Sequence, residues 1–130
     1  MDASVLVMGE LGAVSYDDPR MRATIDRIGR ELRRGDHILR YADADDFGRP
    51  ATAFTLCTFW YVMALHRSGR VEEARAMFGS VLACRTRLGL LSEDIDPATG
   101  APWGNFPQTY PLVGLIRCAM RLSRRWEDFL

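Results

Sequence analysis

Two stretches of the chain gather the side chains able to do chemistry. One reads GDHILRYADADDFGRPATAF and holds Arg40 and Tyr41, then Asp43, Asp45 and Asp46. The other reads GLLSEDIDPATGAPWGNFPQ and holds Glu93, Asp94 and Asp96, then Trp103, Asn105 and Gln108. Brought together, carboxylates, rings, an Arg and amides make a sugar site. Rings cover the apolar faces of a sugar, while Arg, Asn and Gln hydrogen-bond its hydroxyls. Carboxylates do the acid–base work. Each feature also has a plainer reading. Acidic residues just after a helix stop commonly serve as solvated loop charges. Residues 43–46 are acidic like a calcium loop but lack the Gly and terminal Glu of an EF-hand. Phe59 and Trp60 read as core rings, and His66 as a cation at a helix C-terminus.

These residues need elements to position them, and hydrophobic periodicity predicts about five helices. The first covers residues 2–14, capped by Asp2 and apolar on nearly every side, hence buried. The second opens at Asp17-Asp18-Pro19, a cap followed by Pro at the first helical position. It runs to residue 34 and stops at Gly35, with Met21, Ile25, Ile28 and Leu32 on one stripe. The third covers residues 52–67, apolar on almost every face and ended by Gly69. The fourth covers residues 71–88, with Val71, Ala74, Phe78, Val81 and Leu82 on one side. The fifth covers residues 107–123 and is mostly apolar. Strand alternation shows only around residues 37–41, so the predicted class is all-α. The order buried, amphipathic, buried, amphipathic, buried fits a double layer of inner and outer helices. The inner-to-outer links are short and the outer-to-inner links, residues 35–50 and 89–106, are long. Antiparallel hairpins put both long links at the same end, where Arg40 and Glu93 are expected to face one concave surface.

Composition narrows the function classes. The chain has 130 residues, 17 basic and 17 acidic, and a formal charge of zero, which disfavours a nucleic-acid binder. Every basic residue is Arg, a better fork for carboxylates and sugars than Lys, though genome composition is the plainer explanation of the bias. Cys57, Cys84 and Cys118 are widely spaced with no CxxC, so neither a zinc site nor a disulfide framework is expected, and no cofactor or metal is implied. They read as buried reduced thiols. No run reaches the ~20 apolar residues that span a bilayer. The N-terminus lacks the basic region of a signal peptide, and the expected location is cytoplasmic.

The strings RY at 40–41, TAFTLCTFW at 52–60, LGLLSEDIDPATG at 88–100 and GNFPQTY at 104–110 resemble glycoside hydrolase family 15, in order and spacing over essentially the whole chain. That family comprises glucoamylase, glucodextranase and trehalase-type enzymes. The resemblance implies a toroid of about six inner and six outer helices, a double layer like the one periodicity suggests. Residues 1–130 would form the C-terminal part of such a catalytic domain, a partial (α/α)6 toroid. It further implies an inverting hydrolase of α-glucosides, oligosaccharide or disaccharide, with Glu93 as the general base. Arg40 and Tyr41 would bind substrate hydroxyls and Phe54 would line the cleft; from residue type, Trp103 and Gln108 are expected to contact the sugar as well. The family's general acid lies on an earlier loop, upstream of Met1, so the chain by itself is expected to be inactive. Its expected partners are the N-terminal part of the toroid or a second copy of itself, with no nucleic acid and no membrane. A different reading takes ALHRSGRVEEARAMF as a tetratricopeptide-like hairpin in a non-enzymatic interaction module. That class repeats every ~34 residues, and no second copy of the hairpin occurs here.

Overall fold

A helix with no polar side belongs inside. In the computed structural model, which describes residues 1–46 and 48–123, helix α3 (Thr55–Arg67) takes that place. Cys57, Phe59, Tyr61, Val62, Met63, Ala64 and Leu65 on it are all buried. It packs against α4 (Val71–Ala83), α5 (Thr109–Leu122), α2 (Pro19–Leu32) and the N-terminal turns. On α2 the predicted stripe of Met21, Ile25, Ile28 and Leu32 is the buried one. Its N-terminus is capped by Asp18, which accepts the Arg20 N–H at 2.8 Å, with Pro19 behind it.

The all-α expectation is corrected by two small antiparallel sheets. Helix α2 stops short of residue 34 because β1 (Arg33–Arg34) turns back on β2 (His37–Ile38). Gly35, at φ 57°, takes the first turn position that a two-residue hairpin reserves for a positive φ. The second sheet runs β3–β4–β5, with β3 at Ala53–Phe54, β4 at Asp94–Ile95 and β5 at Pro102–Trp103. Its register sets Phe54 opposite Asp94 and Asp94 opposite Trp103. Strands of two residues leave no alternation to read, so periodicity misses them.

The first element also departs from expectation. Residues 2–14 are not one buried helix but a 3-10 turn, Ala3–Leu6, followed by one α-turn, α1 (Val7–Glu10). The three-residue period aligns Ala3 and Leu6, which are buried, and leaves Met8 and Leu11 exposed. Glu10 then accepts from the Tyr16 hydroxyl at 3.0 Å and from Arg117 Nη2 at 2.6 Å, tying this segment to α5.

Helix α5 is apolar on two sides but buried on one. Pro111, Gly114, Cys118 and Leu122 face the core, and Tyr110, Val113, Ile116 and Met120 are exposed. Gly114 allows the close approach to α3, since a Cβ there would lie 2.6 Å from a ring carbon of Phe59. Pro111 sits in the first turn, where a missing N–H breaks no intrahelical bond. Of the thiols, Cys57 and Cys118 are buried and Cys84 is half-buried, and all are free.

Candidate active site

The three-stranded sheet brings the two long links to the same end. Strand β3 leads directly into α3, β4 directly follows Glu93, and β5 lies on the approach to α5. The Thr55 N–H donates to the Glu93 carbonyl at 2.9 Å, and the Glu93 N–H donates to the Asn105 carbonyl at 2.9 Å. Glu93 is therefore pinned by its backbone between the starts of both helices.

Beside it opens a cleft of about 360 Å³. Its walls include Arg40, Tyr41, Phe54 and Glu93, all named from sequence, together with Asp94. Asp45, Gly48, Arg49, Pro50 and Thr52 complete them. The shared end expected for the long links is thus what the fold shows, with Arg40 and Glu93 on one concavity. Trp103 and Gln108 stand outside this lining. Trp103 is largely exposed on β5, its N–H donating to Ser92 Oγ at 3.3 Å.

The carboxylate of Glu93 is held by amides. Asn105 Nδ2 donates to Oε2 at 2.8 Å, and the Asn105 backbone N–H donates to the same oxygen at 3.1 Å. Gln108 Nε2 donates to Oε1 at 2.8 Å. Both oxygens thus accept an N–H, a pattern matched to the ionised, acceptor-only side chain. Gly104, at φ 75°, lets the loop lie this close, because a Cβ there would sit 3.0 Å from Glu93 Oε2.

The other polar groups of the cleft are anchored too. Arg40 Nε lies 3.5 Å from Asp2 Oδ2, and its carbonyl accepts the Ala3 N–H at 2.8 Å. The N-terminal turn thereby fixes the Arg40–Tyr41 step. The Tyr41 hydroxyl donates to Asp45, and this bond pushes the phenol up from its ordinary value. Asp94 accepts from Thr52 Oγ1 at 2.6 Å. Burial pushes its carboxyl above the usual carboxylate range; the Thr52 bond opposes that rise and the charge of Glu93 adds to it. Arg49 and Thr52 were not picked out by sequence reasoning, and Asp94 was gathered with the second acidic loop but given no role of its own.

Residues 1–120 match the family model described as "Glycosyl hydrolases family 15". The chain belongs to glycosyl hydrolase family 15. Among family relatives, it is 36% identical to a trehalase of Mycolicibacterium smegmatis over 132 residues, covering 98% of this chain and 20% of that protein. It is 37% identical to a trehalase of Thermoplasma acidophilum over 131 residues, covering 100% of this chain and 22% of the relative. A "Trehalase 2" of Sulfolobus acidocaldarius is 28% identical over 116 residues, covering 89% of this chain and 20% of the relative. The family chain thus spans about a fifth of the length of the curated relatives it matches. No solved structure matches it significantly. Among the described residues no helix is long and apolar enough to cross a membrane.

Proposed function

We propose that this family 15 chain supplies the general-base side of an inverting α-glucoside hydrolase site, with a trehalose-type disaccharide as the favoured substrate class. The observation that carries the reading is Glu93: a carboxylate lining a cleft, gripped by three N–H donors, with Arg40 in the lining of the same cleft. In inversion, one carboxylate removes a proton from water as the water oxygen bonds to the anomeric carbon. A carboxylic acid ~6.5–9.5 Å away protonates the departing glycosidic oxygen. Glu93 is the base, and the lone pair left on Oε1, which accepts a single N–H, takes the water proton. Arg40, Tyr41 and Arg49 hydrogen-bond sugar hydroxyls, and Phe54 covers an apolar sugar face. The acid comes from the four fifths of the relatives' length that this chain does not match, in a closed helical toroid. The names of the relatives favour trehalose over starch-type chains.

The test is a graft in which this chain replaces the matching fifth of the Mycolicibacterium smegmatis trehalase. The graft is expected to release glucose from trehalose, with one product molecule appearing first as the inverted anomer by NMR. Glu93→Gln in the graft is expected to abolish turnover while trehalose still binds. Near-normal turnover of that variant removes Glu93 as the base. The 130-residue chain by itself is expected to release no glucose, because a missing acid withdraws about two to four orders of magnitude.

A further inference from the structure

We propose that Asn105 and Gln108 are positioning residues for Glu93, and not sugar-reading amides as residue type alone indicates. This rests on the hydrolase reading and concerns the same site. Three observations carry it. First, the two side chains grip opposite oxygens of one carboxylate, at 2.8 Å each, and the Asn105 backbone N–H makes a third bond at 3.1 Å. Donors on both oxygens stop the carboxylate from rotating about its last bond. Second, neither amide is among the residues lining the cleft, where a sugar hydroxyl would have to meet it. Third, the Gln108 amide is oriented for the carboxylate at the expense of its own oxygen: Oε1 is buried and has no partner among the described residues. Turning the amide over would set Oε1 against Oε1 of Glu93, so the carboxylate dictates which way it points.

The backbone reinforces the clamp. The Gln108 N–H donates to the Leu91 carbonyl at 3.2 Å and the Glu93 N–H to the Asn105 carbonyl at 2.9 Å. The segment before α5 is therefore laced to the segment before β4 at Leu91 and at Glu93 itself. A base must lie within ~2.6–3.2 Å of the proton it removes. A misplacement of about 1 Å costs on the order of 10²-fold in rate. Asn105 and Gln108 hold Glu93 to that tolerance.

The graft described above tests this through the split between kcat and KM. Asn105→Ala and Gln108→Leu are expected to lower kcat on the order of 10²-fold while KM stays within about threefold, the pattern of an interaction needed only at the transition state. Asn105→Asp keeps the shape but replaces a donor with a second carboxylate. It is expected to lower kcat further than Asn105→Ala, an order that lost packing cannot produce. If the variants raise KM at unchanged kcat, both amides read sugar and the proposal falls. If Asn105→Asp matches the parent graft, no donor is needed and the proposal falls as well. A graft that folds but is silent with the unaltered chain overturns the hydrolase reading instead, and with it the catalytic meaning of the clamp.

Discussion

Glu93 has no isosteric substitute in its cradle. A carboxylate presents two acceptor oxygens, and both receive N–H groups here. Gln presents one acceptor and one donor, so with Gln108 oriented as in the parent chain Glu93→Gln sets an N–H against an NH2. That loss is expected to lower folding stability by about 1 kcal/mol, the worth of an ordinary hydrogen bond, since Asn105 is solvent-exposed. Denaturant midpoints of the unaltered chain and the variant measure it, and an unchanged midpoint would show that the amides do not hold the side chain. Gly104→Ala acts on the same spot from the backbone. It forces a Cβ to 3.0 Å from Glu93 Oε2 at a positive φ, and the conformation alone is expected to cost about 1–2 kcal/mol. Residue types announced this chemistry only in part. The acidic and amide residues of LLSEDID and GNFPQ were visible as a cluster, but that both amides turn to the Glu93 carboxylate depends on register between β4 and β5, and two-residue strands carry no register signal.

At the scale of elements, burial was legible where a helix is strongly one-sided or has no polar side. The stripe on α2 and the all-round burial of α3 follow directly from spacing. Helix ends were less legible because local hydrogen bonds overrule periodicity. Helix α4 ends at Ala83, short of residue 88, and Thr86 then closes a turn with its own Oγ1 on the Leu90 N–H at 3.1 Å. The α3–α5 crossing depends on Gly114. Gly114→Ala is expected to push α5 away from Phe59 and to cost about 1–3 kcal/mol by overpacking, read as a lower melting temperature. The β1–β2 hairpin carries a titration. His37 is buried, and burial holds its imidazole below the ordinary value against the opposing charge of Asp36. Below about pH 6.5 the unfolded chain takes up a proton that folded His37 resists, so stability falls as pH drops. His66, read from sequence as a helix-end cation, is likewise held down, by burial and then by the charges of Arg121, Arg67 and Arg75. Denaturation midpoints between about pH 7.5 and 5.5 are expected to decline for the unaltered chain and to decline less steeply in His37→Gln, the remaining slope being carried by His66. A flat profile before substitution would contradict this.

At the scale of the whole molecule, α5 and the end of α1 turn large apolar side chains outward. Leu11 is 78% exposed, Ile116 55% and Met120 75%. Single exposed side chains are ordinary, but Tyr110, Val113, Ile116 and Met120 lie along one helix and form a continuous face. The isolated chain is expected to self-associate in sedimentation runs as concentration rises, and Ile116→Arg is expected to relieve it. A clean monomer at every concentration would refute this. The sheet that joins the starts of α3 and α5 adds a mechanical coupling. The Phe59–Gly114 contact acts as a fulcrum, and β5 with the Asn105 strap acts as the lever arm ending on Glu93. On the proposed hydrolase reading, a shift of α5 about this contact is expected to carry through to the Glu93 carboxylate. Shimming the fulcrum with Gly114→Ala should accordingly depress turnover of the trehalase graft more than its loss of stability explains.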